Sequence, residues 1–401
     1  MPDSTGLLRP NEVEFLSFEG GGGKGNAFLG AVLGLQQTKV ISFEEGRLLG
    51  VKGIAGSSAG ALTALFLASG FDYEGLNTDI FSKNFNDFFD LPKPREIIIA
   101  GCGEKAINTK NISPIIEAGL GPHPLRSLKI WGAFLVSCII QIVSKFQEES
   151  ELLKKFTKPD AVNDYVDCFT TDFGVFSGIN IHSFFNQKIT KKISQINEKV
   201  KEEDWKKKWW TFAEHYQYFG IDLRFTSVNL RTENIFIFSK DTTPNFPVAT
   251  AARMSMSLPC IFKPVIINEA SLNICKLDKD FLGTWVDGGL FNNAPLDLFN
   301  SKKTILLRLG KRIENNQIDS ILDFLLLYFE MGLMGSAGSG QINKTTVIDY
   351  MAQVIELSIK DLGMLTFNIT DKTHLENLVH ENAIRIRQYF ERQSIKREIY
   401  E

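Results

Sequence analysis

Apolar and polar positions fall into two regimes along the chain. Two short, nearly continuous apolar runs, Val13-Glu-Phe-Leu-Ser-Phe18 and Val51 to Ala55, each end in glycine-rich sequence. Each is followed by a helix-forming run, Ala27 to Gln36 and Ala61 to Ala68. Strand, glycine loop and helix, twice over, predict an α/β fold: a mostly parallel central sheet flanked by helices. Strand patterns return at Asp222–Val228, Ile235–Phe238, Thr284–Val286 and Thr304–Leu309. Between about 80 and 215 the chain changes character, with an apolar stretch at Ile130–Phe146 and a Lys/Glu-rich run from Lys188 to Lys208 that ends in Trp209-Trp210. The expected organisation is a catalytic α/β domain over 12–310, interrupted by a helical insert or cap at about 80–215. A helical, amphipathic C-terminal segment at 311–401 packs on the same domain.

Composition narrows the class. Hydrophobic residues make up 44% of the 401 and charged residues 23%, the balance of a globular protein with a sizeable core. Lys plus Arg number 44 against 47 Asp plus Glu, which disfavours a basic nucleic-acid binder. The start, MPDSTGLLRPNEVEF, lacks the basic and apolar regions of a secretory signal. The five cysteines contain no CxxC, as expected of reduced cytosolic thiols rather than disulfides or a zinc site. The expected location is the cytoplasm, peripheral at membranes, with export as an effector by a non-Sec route left open.

Three glycine-containing motifs carry candidate chemistry. Gly56-Ser57-Ser58-Ala59-Gly60 is a G-x-S-x-G sequence between a strand and a helix. Such a turn holds its central Ser strained at a helix N-terminus, where amide groups favour developing negative charge. The run Gly20, Gly21, Gly22, Gly23, Lys24 and Gly25 admits two readings. With Glu44 and Glu45 about 20 residues on, it matches the G-x-G-x-x-G of a Rossmann-type nucleotide site. Equally, its closely spaced N–H groups suit an oxyanion hole. A Walker A loop fails, because Gly25 follows Lys24 where Ser or Thr is needed. Trp285-Val-Asp-Gly-Gly-Leu290 then places Asp287 at a strand end, followed by Gly288 and Gly289. An Asp-Gly turn is common alone. Three such motifs, each at a strand end, are not.

Taken together these motifs resemble the patatin-like phospholipase family. Gly174-Val-Phe-Ser-Gly178 is similar to the family's segment before a helix, and Ala251-Ala-Arg-Met-Ser-Met-Ser-Leu-Pro259 to the stretch before its D-G-G/A strand. The family pattern often has Asp before the glycine run; Glu19 keeps the charge. The span from Ser58 to Gly174 looks longer than in compact members. The resemblance implies a lipid acyl hydrolase with a Ser–Asp dyad: Ser58 as nucleophile, Asp287 as proton acceptor, and the Gly20–Gly25 loop as oxyanion hole, with Gly56 and Gly60 shaping the elbow. It implies a phospholipid or other acyl-lipid substrate at a membrane surface, cleaved in phospholipase A or lysophospholipase fashion. No cofactor, metal or nucleic acid is expected, and the sequence names no protein activator. A catalytically silent lipid-binding module of the same fold is the other alternative.

Histidine is scarce: His123, His182, His215, His374 and His380. In Thr373-His-Leu-Glu-Asn-Leu-Val-His-Glu381, Leu375, Leu378 and Val379 form the apolar stripe, which puts both histidines off it. Thr373 and Glu376 suggest a capping box there. A histidine triad is therefore disfavoured. The Ile130–Phe146 stretch is shorter than the ~20 residues needed to cross a bilayer. It reads as a core-facing helix or as a lid for the Ser58 pocket, with Lys206–Lys208, Trp205, Trp209 and Trp210 as candidate headgroup contacts.

Overall fold

The chain is described by a computed structural model covering residues 8–83, 93–101, 171–310, 353–360 and 371–400, with positions 90, 164, 167, 168, 362, 363 and 369 between them. The Ile130–Phe146 stretch and His123 lie outside the described residues. The early strands are β1 (Phe15–Phe18), β2 (Ser42–Glu44), β3 (Arg47–Leu49), β4 (Gly53–Gly56), β5 (Gly174–Phe176) and β6 (Asp222–Asn229). The later ones are β7 (Asn234–Phe238), β8 (Cys260–Phe262), β9 (Val265–Ile267), β10 (Gly283–Asp287), β11 (Thr304–Leu309) and β12 (Val354–Leu357). The helices that position the site are α1 (Phe28–Gln37), α2 (Ala59–Ala68), α3 (Ile179–Ile196), α4 (Phe212–Phe219), α5 (Val248–Ser255), α6 (Glu269–Cys275) and α7 (Lys372–Tyr400).

The central sheet runs β12-β11-β1-β4-β6-β10-β9, with β7 also paired to β6. Strands β12, β11, β1, β4 and β6 are mutually parallel; β10 runs antiparallel to both β6 and β9. Parallel strands are covered on both faces, which is why β1 and β4 read as unbroken apolar runs. Leu16, Phe18, Ile54 and Ala55 have no exposed surface. Every residue of α2 is buried, as its uniformly apolar sequence requires.

Helix α1 meets α7 through glycine. A Cβ on Gly30 would stand 2.4 Å from the Val379 carbonyl oxygen, and one on Gly34 would stand 2.6 Å from Ile386 Cβ. Leu378 and Val379 are buried in this seam, while His380 is exposed and His374 half-buried.

Four local expectations change. Within the segment expected to be helical from 311, Val354–Leu357 adds a parallel edge strand to β11. Its burial pattern alternates, which four residues cannot separate from a helical period. Within the insert expected to be helical, β5 pairs with β8 and Ile99 bridges Ile266. A fully buried ion pair, Lys263 Nζ to Asp172 Oδ2 at 2.7 Å, ties these pieces together; the ammonium also donates to the carbonyls of Lys93 and Glu96. The start of α7 is capped by Asp371, whose Oδ1 accepts from the N–H groups of Thr373 and His374, so the Thr373–Glu376 box is not what caps it. Trp210 and Trp209 face the core: Trp210 donates to Thr190 Oγ1, and Trp209 stacks on His182. Among the described residues no helix is long and apolar enough to cross a membrane.

The α1–α7 seam generates a test. Gly→Ala in a helix ordinarily stabilises by about 0.5–1 kcal/mol. Here the new methyl meets backbone, which cannot swing aside, so Gly30→Ala is expected to destabilise by about 1–3 kcal/mol in urea unfolding. A gain in stability would show that α7 does not approach this closely.

Candidate active site

The site begins with strand register. Phe225 of β6 pairs with Gly56 of β4 and with Phe238 of β7; two residues on, Ser227 pairs with Asp287 of β10 and with Phe236 of β7. Since β7 occupies one edge at both positions, β4 and β10 share the other. They point toward each other, because β4 runs with β6 and β10 against it. Their C-terminal ends are thus two residues apart along β6, roughly 7 Å. The chain leaving β4 at Ser57-Ser58 and the side chain of Asp287 meet over that gap.

Ser58 caps α2 with φ 49° and ψ −122°, backbone that a non-glycine residue occupies only when the surroundings impose it. The flanking glycines supply the room. A Cβ on Gly56 would lie 2.3 Å from the Gly60 carbonyl oxygen, and one on Gly60 would lie 2.2 Å from that of Phe18. The Ser58 N–H donates to Ser255 Oγ at 3.1 Å, which ties the turn to α5. Ser58 itself is 8% exposed.

Asp287 is wholly buried. Its Oδ1 accepts from Gly289 N at 2.8 Å, and its own N–H donates to the Ser257 carbonyl at 3.0 Å. Oδ2 has no hydrogen-bond partner of ordinary geometry among the described residues. Burial pushes the carboxyl up to about 7, against the opposing pull of the Ser58 hydroxyl, the Gly289 N–H and the Arg253 guanidinium. The strand beneath is fixed by Trp285, which packs against Phe236, Phe238 and Phe281 and donates its indole N–H to the Phe281 carbonyl. Gly288 tolerates no side chain, since a Cβ would fall 2.2 Å from the Thr226 carbonyl.

The glycine loop lies against the same turn. A Cβ on Gly20 would be 3.0 Å from Ser58 Cβ, and one on Gly25 would be 2.9 Å from Ala59 Cβ. The Gly20 N–H already donates to the Asn293 carbonyl and that of Lys24 to Gly21. This leaves the N–H groups of Gly21, Gly22 and Gly23 as the donors at the start of a short 3-10 turn, Gly22–Ala27. Glu19 anchors the loop from below: its Oε2 accepts from Leu309 N at 2.6 Å, and burial pushes its carboxyl to about 7. The nucleotide-site reading loses its acid here. Glu44 and Glu45 are exposed on the separate β2–β3 hairpin, off the central sheet.

Sequence reasoning missed Asn293 and, although it singled out the 251–259 stretch, gave Ser255 and Ser257 no role. Asn293 is buried, donates Nδ2 to the Gly20 carbonyl at 3.0 Å, and has its Oδ1 beside Gly20 without a hydrogen-bond partner among the described residues. Its only sequence signal is an Asn pair inside an otherwise apolar stretch. The buried histidines are structural: His182 bonds Thr250 and His215 bonds Ser69, and burial pushes both down to about 3. Among the described residues no hydrogen bond joins a histidine to Ser58 or Asp287, and no group of three or more His, Cys, Asp or Glu converges as a metal site would.

The sequence matches the family described as patatin-like phospholipase over residues 16–300. It is 26% identical over 133 residues to a probable lipid hydrolase, 463L, of Invertebrate iridescent virus 6, an alignment spanning 32% of this chain and 37% of the viral protein. Among solved structures, VipD from Legionella pneumophila aligns with TM-score 0.48 and 16% identity, over 95% of this chain and 67% of VipD. Full-length ExoU of Pseudomonas aeruginosa, solved in complex with SpcU, aligns with TM-score 0.40 and 16% identity, over 96% of this chain and 53% of ExoU.

Asp287 makes stability depend on pH in a stated direction. A carboxyl whose pKa is higher folded than unfolded contributes stability in acid that is lost as pH rises through about 7. Asp287→Asn keeps the shape and removes the charge. The thermal midpoint of this variant, relative to wild type, is expected to rise between pH 5 and pH 8. An identical difference at both pH values would mean that this carboxyl does not titrate in the folded protein near neutrality.

Proposed function

Because the chain belongs to the patatin-like phospholipase family, we propose that it is a serine lipid acyl hydrolase, of phospholipase A or lysophospholipase type, working without calcium through a Ser58–Asp287 dyad. The observation that carries this reading is the strained Ser58 turn set end-on to a buried carboxyl held near neutrality. A carboxylate of ordinary pKa is a poor base for a hydroxyl. One raised toward 7 is a better match to the task at physiological pH.

In this mechanism Ser58 Oγ attacks the ester carbonyl carbon while Asp287 Oδ2 takes the hydroxyl proton. The carbonyl oxygen becomes an oxyanion, received by the N–H groups of Gly21, Gly22 and Gly23 and by the start of α2. Collapse breaks the bond to the leaving alkoxide, which takes the proton from Asp287. Water then attacks the acyl-serine, its proton passes to Asp287, and collapse releases the fatty acid as Ser58 recovers its proton. Acyl-lipid at a membrane surface is the substrate in this reading, approached by a cytoplasmic, peripherally bound protein.

A fluorophosphonate probe is expected to label the protein once, at Ser58, and Ser58→Ala is expected to lose both label and turnover. Asp287→Asn should lower kcat by about 10²–10⁴-fold. In wild type kcat/KM should rise with pH through about 7, where Asp287 loses its proton. The doubly substituted His374→Ala, His380→Ala protein should retain most activity, and excess EDTA should leave the rate unchanged. Mass spectrometry of products from a defined phospholipid panel reads out the bond cleaved. Wild-type turnover by Ser58→Ala would end this assignment, and rescue by calcium alone would end its metal-free part.

A further inference from the structure

The dyad is gripped from one side by a single turn of chain. Ser255 accepts from the Ser58 N–H through its hydroxyl, and Ser257 accepts from the Asp287 N–H through its carbonyl. The same turn contains Arg253, at the end of α5, which has no exposed surface. Its Nη1 donates to Ser257 Oγ at 2.8 Å; its Nη2 donates to the carbonyls of Ser177 at 3.0 Å and Lys263 at 3.1 Å. Among the described residues, every hydrogen-bond acceptor it uses is a neutral oxygen. Nε has no hydrogen-bond partner among the described residues, and the guanidinium lies over the Phe262 ring at 4.7 Å. Room for it is kept by Gly178, where φ is +68° and a Cβ would fall 2.0 Å from Arg253 Nε.

A buried cation without a bonded carboxylate is costly, and the fold needs some return for keeping it. Replacing the charge with an apolar side chain would ordinarily be neutral or favourable. The return lies in what surrounds the guanidinium. Asp90 and Asp287 are the acids whose fields support its charge. Asp90 is already used, accepting from Ser177 Oγ and from the N–H groups of Ile179 and Asn180 at the start of α3. Of the other titratable groups in the surrounding elements, Lys263 is paired with Asp172, Glu96 lies beyond Ser177 at 3.5 Å from its hydroxyl, and His182 is held neutral by burial. Neither Asp90 nor Asp287 has an ion-pair partner among the described residues, but both Asp90 oxygens accept hydrogen bonds, whereas Asp287 Oδ2 accepts none of ordinary geometry.

We propose that Arg253 is the positioning residue of the dyad: a fixed, buried cation that offsets the charge on Asp287 and, through Ser257, holds the backbone from which that carboxylate projects. This inference rests on the dyad reading for its kinetic consequence, but its electrostatic core is independent of turnover. In a site without a histidine, the proton-accepting carboxylate has no imidazolium to share its charge with. Burial lowers the Arg253 guanidinium to about 10, so it stays charged through neutral pH as a counter-charge and, being tied to neutral oxygens and ring, does not close onto the carboxylate and neutralise it as a base.

The test is a cycle of variants, Arg253→Gln and Asp287→Asn, singly and together, followed by thermal unfolding at pH 5 and pH 8.5. With Asp287 present, Arg253→Gln is expected to lower the midpoint more at pH 8.5, where the carboxylate is charged and deprived of its counter-charge, than at pH 5. In the Asp287→Asn background the loss should be equal at the two pH values. In kinetics, the acid limb of kcat/KM on a soluble ester should move up by about one pH unit in Arg253→Gln and return toward wild type in Arg253→Lys. Equal midpoint losses at both pH values with Asp287 present, or an unmoved limb, would overturn the electrostatic role. Should Arg253→Gln fail to fold, Ser257→Ala removes the Nη1 acceptor and leaves the charge: kcat is expected to fall with KM unchanged, and an unchanged kcat overturns the positioning role. If Asp287→Asn turns over ester at the wild-type rate, the dyad reading fails, while the unfolding cycle still reports on the Arg253–Asp287 coupling.

Discussion

The edge of β6 is the constraint on which the rest of the molecule depends. A strand has two edges, and β7 takes one of them from Phe225 to Asn229. On the other edge β4 stops at Phe225 and β10 starts its pairing at Ser227, so two strands of opposite direction meet end to end. Backbone hydrogen bonds to one rigid strand set the distance between the Ser58 turn and Asp287. Sites built this way are held more accurately than sites carried by free loops. The aromatic packing of Trp285 with Phe236, Phe238 and Phe281 keeps β7 and β10 in place, and so serves the site from the core.

The site concentrates features that cost stability. Ser58 holds a left-handed φ, Asp287 is a wholly buried acid, and Glu19, four-hundredths exposed beneath the glycine loop, is another. Both acids are pushed to about 7 by the same cause, removal from water. Their surroundings differ. Glu19 receives the Leu309 N–H on one oxygen and has Arg308 3.8 Å from the other, an arrangement suited to fastening the loop to β11. Asp287 keeps an oxygen with no hydrogen-bond partner of ordinary geometry among the described residues, beside the strained serine, an arrangement suited to receiving a proton. A local conflict with folding rules that the surrounding structure sustains is what a functional site looks like.

Close approach of backbone is the second theme, and glycine provides it wherever helix, loop and strand converge. Gly56 and Gly60 let the strand-to-helix turn close, and Gly20 and Gly25 let the loop settle on that turn. At each of these positions a methyl group would meet an atom within about 3 Å, so the steric requirement and the motif are the same fact.

What the sequence determined by itself is local. Apolar runs that stop at glycine specify β1, β4 and the helices that follow; the observed bounds differ from the expected ones by a residue or two because helix and strand ends depend on capping and pairing partners. The motifs around Gly20, Ser58 and Asp287 were legible because tight turns between strand and helix demand residue types at fixed short spacing. Tertiary structure decided everything that joins distant segments. That β12 belongs to the sheet, that β5 pairs with β8, and that Asp371 caps α7 depended on partners that no local period encodes. So did the position of Glu44, which only strand pairing places on an outlying hairpin, away from the glycine loop. Asn293 gave no signal, and Arg253, Ser255 and Ser257 stood in a stretch legible only as a resemblance, for the same reason: a polar residue in an apolar stretch reads alike whether it faces solvent or a buried site. Its role comes from burial and from the neighbours that the folded chain brings to it.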